Sequence, residues 1–122
     1  MGDQGFRELR VWQSAKSLAV TIYRLTANGP LARDFGLRDQ IRRAAVSISS
    51  NIAEGDERDT NRDSVRFLYI AKGSLGELRT QLEIARDIEA LEPKIYDQLE
   101  VTCAKIGRML GSLIKARARS DL

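Results

Sequence analysis

The side chains that most often carry chemistry are scarce in this sequence. The chain contains no histidine, the residue that most often serves as a general base and as a transition-metal ligand. A di-iron helical bundle needs Glu-x-x-His pairs on facing helices, so that use of a bundle is excluded. The single cysteine, Cys103, shares an apolar helical stripe with Leu99 and Ile106, which predicts a buried thiol without a base to activate it. We therefore expect no catalytic residue, no metal site and no cofactor, and a protein that is not an enzyme.

Two carboxylates, Glu54 and Glu77, stand in largely small or apolar surroundings. They could pair with arginines such as Arg58 or Arg42 and fix the register of helices, an interpretation favoured over a general-acid role. The glycine-containing segment 73–76 lacks the lysine of a phosphate-binding loop and lies inside a predicted helix. It indicates close helix contact rather than phosphate binding.

Basic residues are concentrated at the end of the chain. From Lys105 onward there are five basic residues and one acidic residue, a local charge of +4 against +3 for the whole chain. Cations in a last helical turn are favoured by the helix dipole alone, and the same cations could contact nucleic-acid phosphates. Both interpretations stay open. The candidate nucleic-acid-binding residues combine this group with arginines of an earlier helix: Arg38, Arg42, Arg43, Lys105, Arg108, Lys115, Arg117 and Arg119.

Four long amphipathic helices are predicted to position these residues, because apolar residues recur at spacings of three and four. They cover residues 7–27, 37–58 (ending near Gly55), 61–90 and 93–116. The first ends at Asn28-Gly29-Pro30, where proline cannot continue a helix. Asp59 or Thr60 is predicted to cap the third helix, with Thr60-x-x-Asp63 in the form of a capping box, and Pro93 belongs to the first turn of the fourth helix.

The short connections between these helices favour antiparallel neighbours. The predicted fold class is therefore all-α, an up-down-up-down antiparallel four-helix bundle. The bundle covers residues 6–116. A flexible amino-terminal tail is expected over residues 1–5 and a basic, flexible carboxyl-terminal tail over residues 117–122.

The third predicted helix has the most regular pattern. Its apolar stripe comprises Leu68, Ala71, Leu75, Leu78, Leu82, Ala85 and Ile88. Phe67, Ile70 and Ile84 broaden the apolar face, as a helix inside a bundle requires. Apolar and small residues cover more of the second and third helices than one core needs, and such a surplus usually marks an interface. We expect the chain to self-associate.

Composition indicates an ordinary globular domain, with 43% hydrophobic and 30% charged residues in a chain of 122. One cysteine cannot form an intramolecular disulfide and fits a reducing compartment. No apolar run approaches the roughly 18 to 20 residues that span a bilayer, and the first ten residues do not have the pattern of a secretory signal. We expect a cytoplasmic protein without a membrane partner.

Three segments resemble one known family. The most specific is Gln40-Ile41-Arg42-Arg43-Ala44-Ala45-Val46-Ser47-Ile48, which continues over residues 51–55. Residues 6–12 match the family's opening, and residues 67–78 match its second signature. Over residues 6–115 the chain resembles the four-helix bundle family of 23S ribosomal RNA intervening-sequence proteins, or S23 ribosomal proteins, which includes the accessory variability protein of diversity-generating retroelements. The motif residues expected to have structural or interface roles are Gln40, Arg42, Ser47, Asn51, Glu54, Gly55, Arg58, Gly73, Ser74 and Glu77.

The resemblance implies a homopentamer, a barrel of five bundles around a central channel. It also implies a basic surface that can bind RNA or DNA and, in retroelement members, association with a reverse transcriptase. Family members encoded inside ribosomal RNA genes have no settled biochemical role. This chain differs from the family in being only mildly basic, and in segment 29–34, where the family usually has Phe-Pro-x-x-Glu.

Two functions are compatible with this pattern. The first is a non-enzymatic, ring-shaped homo-oligomer whose basic surface binds structured RNA or duplex DNA with little sequence preference. The second is a scaffold that binds a partner protein, for example a reverse transcriptase, without contacting nucleic acid directly. Neither function requires a small-molecule substrate.

Overall fold

The computed structural model describes residues 5–119, and this part of the chain is helical and contains no strand. A 3₁₀ turn precedes five α-helices: Gly5–Glu8, then α1 (Arg10–Leu25), α2 (Gly29–Arg33), α3 (Phe35–Asp56), α4 (Asn61–Asp87) and α5 (Pro93–Arg119). The predicted all-α class is confirmed. Residues 1–4 and 120–122, which belong to the two predicted tails, lie outside the described residues.

Local capping explains where the long helices begin. The side chain of Asp34 accepts a hydrogen bond at 3.1 Å from the third amide of α3. The side chain of Thr60 accepts one at 3.1 Å from the amide of Asp63, so Thr60 is the one of the two predicted residues that caps α4. Pro93 begins α5, as predicted. Helix α5 ends at Arg119, three residues beyond the predicted end.

The connection between the first two predicted helices, residues 28–36, contains the short helix α2. Gly29 begins it with a φ of +75°, a left-handed conformation that favours glycine. Pro30 follows in the first turn, where its missing N–H costs no hydrogen bond. Leu31 anchors the turn because its side chain is buried. Helix α1 has already ended at Leu25, so Pro30 lies in the first turn of the next helix.

The four long helices share one hydrophobic core. Helix α3 contacts α1 and α4, while α5 contacts α4 and α1, with the α1–α5 contact the least extensive of the four. Most of the core consists of residues that recur at spacings of three and four on the four predicted helices: Val11, Ala15, Leu18, Ile22, Ile41, Ala44, Ile48, Ile52, Leu68, Ala71, Leu75, Leu78, Leu82, Ala85, Leu99, Cys103, Ile106 and Leu110.

Three isoleucines of the α4 region do not join this core. Ile70, Ile84 and Ile88 are 44%, 47% and 55% exposed, so the prediction that they pack inside the bundle is wrong. Ile88 follows the last residue of α4, and Ile70 and Ile84 lie at the edge of the buried face. Ile70 and Ile84 are about 21 Å apart along α4, with Gly73, Glu77 and Gln81 between them on the same side of the helix. The three isoleucines are together termed the α4 apolar strip.

Candidate nucleic-acid interface

Four exposed cations share one face of α5. Lys105, Arg108, Lys115 and Arg119 follow one another at spacings of three, seven and four residues, which places them on the same side of a helix. None of them has an ion pair or hydrogen bond with another residue of the described range 5–119. At about 1.5 Å per residue the row is roughly 21 Å long. It is termed the α5 basic stripe.

Arg117, the fifth basic residue of this region, is engaged inside the protein. Its guanidinium donates hydrogen bonds to a carboxylate oxygen of Asp56 at 2.7 Å and to the hydroxyl of Ser64 at 2.6 Å. The arginine and aspartate side chains are only 21% and 18% exposed. Arg117 thus joins the end of α5 to the end of α3 and the start of α4. It is not available as a phosphate contact in this arrangement.

Two of the three candidate arginines of α3 are also engaged. The Nε of Arg42 donates to the hydroxyl of Thr26 at 2.8 Å, and its guanidinium lies 4.5 Å from the centre of the Tyr23 ring. Arg38 donates to the carbonyl of Ala32 at 3.2 Å and pairs with the neighbouring aspartate. Both arginines therefore hold the ends of neighbouring helices.

Arg43 is the exposed member of this α3 group and has no ion pair within the described residues. It lies near the start of α3, whereas Arg117 joins the other end of α3 to the end of α5. The α3 arginines and the α5 basic stripe therefore lie toward opposite ends of the molecule. The structure does not bring the eight candidate residues into one site.

Helix α1 adds positive charge that the sequence interpretation did not include. It has three basic residues and no acidic one, and α5 has six basic residues and two acidic ones. These two contacting helices carry +7, against +3 for the whole chain. The signal was present in the sequence, because no acidic residue occurs over residues 9–33.

One of the two acids of α5 is neutralised by α4. Both oxygens of Glu100 accept hydrogen bonds from Arg79, one of them at 3.1 Å from Nε. This contact raises the pKa of Arg79 above its ordinary value. Glu100 therefore compensates little of the positive charge of α1 and α5.

A groove of about 370 Å³, lined by Leu18 and Leu99 together with polar side chains, separates α1 from α5 along part of their length. Ser14, Ser17 and Thr21 of α1 supply hydroxyls to one wall, and Thr102 and Lys105 of α5 lie on the other. No carboxylate lines this groove. Lys105 belongs both to this groove and to the α5 basic stripe, whose other three members do not line the groove.

The family motif residues gather elsewhere, along the contact between α3 and α4. The hydroxyls of Ser47 and Ser74 are 2.8 Å apart, and the amide nitrogen of Asn51 donates to the hydroxyl of Ser47 at 3.0 Å. A groove of about 320 Å³ beside them includes Gln40 and Glu77 in its lining. These polar residues connect two helices across a seam that opens to the surface.

The remaining motif residues have local structural roles. Glu54 pairs with Arg58 at 2.8 Å, but both side chains are well exposed, so the pair adds little stability. Arg58 also lies 4.4 Å from the centre of the Phe67 ring. A Cβ atom at Gly55 would lie 3.0 Å from a backbone oxygen of α4, whereas a Cβ at Gly73 would meet nothing within 4 Å. The close helix contact lies at Gly55.

The thiol of Cys103 is fully buried, as predicted. Burial, with a smaller effect from Glu100, raises its pKa to about 11. Burial is also the main cause of the raised pKa of the Tyr96 hydroxyl. Within residues 5–119 no group of three or more Cys, Asp or Glu side chains is arranged to hold a metal ion. No helix in that range combines the length and apolar character needed to cross a membrane.

Comparison with known proteins identifies the class to which this helical fold belongs. Residues 7–112 match the model of the family described as 23S rRNA-intervening sequence protein, and the chain belongs to that family. A crystal structure of a protein of unknown function from the S23 ribosomal protein family of Bacteroides thetaiotaomicron is similar, with a TM-score of 0.79 and 26% identity. The similarity covers 86% of this chain and 95% of that one. No curated protein matches the chain.

Proposed function

We propose that this protein is a non-enzymatic homo-oligomer that binds structured RNA or duplex DNA through the basic face of α1 and α5. The observation that carries the proposal is the α5 basic stripe, four unpaired cations beside a helix that has no acid. Surface cations of this kind bind the phosphate backbone with little dependence on sequence. The proposed setting is the cytoplasm, without membrane, cofactor or small-molecule substrate.

The proposed arrangement of the helices is an up-down-up-down antiparallel bundle. Its support is the short connections, residues 57–60 between α3 and α4 and 88–92 between α4 and α5. The circuit of contacts from α1 through α3, α4 and α5 back to α1 is also what such a bundle requires. In this arrangement α1 and α5 are adjacent and share one outer face.

The proposed oligomer is a ring, with five copies as the family resemblance implies. Two separate apolar surfaces support self-association: the α4 apolar strip, and a groove between α1 and α3 that contains Val20, Tyr23 and Val46. Because these surfaces differ, one can dock on the other in a head-to-tail contact, the type of contact that closes rings. Lys16 beside the groove has the opposite charge to Glu77, which lies on the same side of α4 as Ile70 and Ile84.

A salt titration with a matched control tests nucleic-acid binding. The affinity for a duplex of about 24 base pairs is measured at several salt concentrations for the wild type and for Lys105→Gln/Arg108→Gln. The variant should bind more weakly. The slope of log K against the logarithm of the salt concentration should be smaller in magnitude by about two for each protomer, because two phosphate contacts are lost. The control, Arg62→Gln/Lys72→Gln, removes the same charge from exposed positions of α4 and should bind like the wild type. Absence of binding at low salt, or an equal loss in the control, contradicts the proposal.

The alternative function is a scaffold that binds a partner protein such as a reverse transcriptase. The observation that favours it is the α4 apolar strip, which no part of residues 5–119 covers. In that case the partner should remain bound after nuclease treatment. Binding should survive Lys105→Gln/Arg108→Gln and should be lost when Ile70 and Ile84 are replaced by glutamine.

A further inference from the structure

The groove between α1 and α5 contains hydroxyl groups that the protein does not use. Ser14, Ser17 and Thr21 occupy successive turns of α1, and none of their hydroxyls bonds to another residue within the described range 5–119. The ammonium group of Lys105 is likewise unpaired there. Hydroxyl and ammonium groups both donate hydrogen bonds. The groove therefore presents a row of groups that can donate hydrogen bonds and that the protein itself does not use.

The surroundings of the groove favour an anion. Arg10 and Arg24 extend the face of α1 that carries the three hydroxyls, because residues 10, 14, 17, 21 and 24 recur at helical spacing. Both arginines are exposed and unpaired within residues 5–119. On the other wall, Lys105 continues into the α5 basic stripe. An acceptor-rich, negatively charged chain fits this surface along its length.

Aromatic side chains are missing from this face of the described residues. Trp12 packs against Phe6, Tyr23 lies under Arg42 in the direction of α3, and Tyr96 is buried. Proteins that bind single strands without sequence preference stack the bases on aromatic rings. A duplex keeps its bases inside and offers only phosphates and sugars to such a surface. The α5 basic stripe, roughly 21 Å long, runs beside about six base pairs.

We infer that the groove between α1 and α5 seats one phosphodiester strand of a nucleic-acid duplex, with the hydroxyls of Ser17 and Thr21 and the ammonium group of Lys105 as donors to its phosphates. This inference rests on the proposed function and deepens it. It assigns the binding path to two helices and the preferred ligand to double-stranded nucleic acid. The hydroxyls position the strand, and the stripe supplies most of the charge.

Removal of the two exposed hydroxyls tests the inference. Ser17→Ala/Thr21→Ala should weaken binding to a 24-base-pair duplex by about tenfold, because each hydroxyl–phosphate hydrogen bond contributes modestly. The salt dependence should stay that of the wild type, since no charge is removed. Ser50→Ala/Thr80→Ala removes the same groups from exposed positions of α3 and α4 and should leave the affinity unchanged. Sedimentation of each variant establishes that its assembly is that of the wild type.

The outcomes separate this inference from the function on which it rests. If Lys105→Gln/Arg108→Gln weakens duplex binding but Ser17→Ala/Thr21→Ala does not, the groove assignment is overturned and nucleic-acid binding stands. If one strand of the same sequence binds more tightly than the duplex, the assignment to double-stranded ligands is overturned. If the wild type binds no duplex at low salt, the proposed function itself fails.

Discussion

The guanidinium of Arg42 occupies the carboxyl-terminal end of α1, where backbone carbonyls lack helical partners. It donates to the carbonyl of Tyr23 at 3.3 Å and to the hydroxyl of Thr26 at 2.8 Å. That hydroxyl in turn donates to the carbonyl of Ile22 at 2.7 Å. A cation at this end also interacts favourably with the helix dipole. Arg42 therefore acts as a side-chain cap supplied by another helix.

Replacing Arg42 by alanine should lower the free energy of unfolding by about 1 to 3 kcal/mol, because hydrogen bonds to a charged donor are lost. Arg42→Lys should restore little of this, since an ammonium group cannot reproduce the planar fork over Tyr23. Urea denaturation monitors both variants. Arg43→Ala, at the adjacent exposed position, is the control and should change stability by less than about 0.5 kcal/mol. Equal effects at the two positions would contradict the capping role.

The buried thiol of Cys103 should make stability depend on alkaline pH. Its pKa is raised from 9.0 to about 11 in the folded protein, so the unfolded chain loses this proton first as the pH rises. The thiol's contribution is complete below pH 9 and should decline toward pH 11 by up to about 2 kcal/mol. The difference in unfolding free energy between wild type and Cys103→Ala isolates it from other titrating groups. Parallel pH curves for the two proteins would refute the assignment.

For single residues, burial could be predicted from the sequence but side-chain partners on other helices could not. The burial of Cys103 could be predicted because an apolar stripe on its own helix surrounds it. The partners of Arg42 and Arg117 could not be predicted, because each partner lies on a different helix, 16 to 61 residues away in the chain. Which arginines remain free for a ligand depends on that packing.

At the scale of elements, one end of the molecule is closed by three helices. Arg117 of α5 bonds to Asp56, the last residue of α3, and to Ser64 in the first turn of α4. Gly55 lets the end of α3 approach the backbone of α4. Charge pairing and backbone proximity therefore fix the same junction.

Two motif glycines should respond in opposite directions to the same substitution. Gly55→Ala places a Cβ atom 3.0 Å from the carbonyl oxygen of Ser64 and 3.3 Å from Cβ of Phe67, which should destabilise the protein by about 1 to 3 kcal/mol. Gly73→Ala meets nothing within 4 Å in the protomer and should gain up to about 1 kcal/mol from helix propensity. Thermal denaturation at low protein concentration compares them. A stable Gly55→Ala variant would mean that α3 and α4 can separate at little cost.

The long helices could be predicted because their apolar residues repeat over several turns. The short helix α2 could not, since five residues are too few for a periodic pattern. The same periodicity overestimated burial at Ile70 and Ile84. A pattern shows which residues are apolar, but whether another helix covers them depends on the number of neighbours in the fold.

At the scale of the whole molecule, charge and apolar surface are separated. Helices α1 and α5 carry +7 in a chain whose net charge is +3. The α4 apolar strip belongs to a helix that packs on α3 and α5. The absence of acidic residues over residues 9–33 can be read from the sequence, but that α1 lies beside α5 is known only from the fold. In the proposed ring, association between the strip and the α1–α3 groove leaves the α5 basic stripe available in every copy.

Breaking self-association should therefore weaken nucleic-acid binding even though the basic face is intact. Ile70→Gln/Ile84→Gln adds no charge and should shift the protein toward its 13.7 kDa protomer in analytical ultracentrifugation. The control, Phe35→Gln/Val101→Gln, alters apolar residues that are still more exposed, at 65% and 70%, and should keep the assembled state. Because a ring engages one duplex through several weak sites, the dissociated variant should lose at least tenfold in affinity and show a shallower salt dependence. An unchanged affinity in a protomeric variant would mean that one copy of the α1–α5 face is sufficient and that the ring serves another purpose.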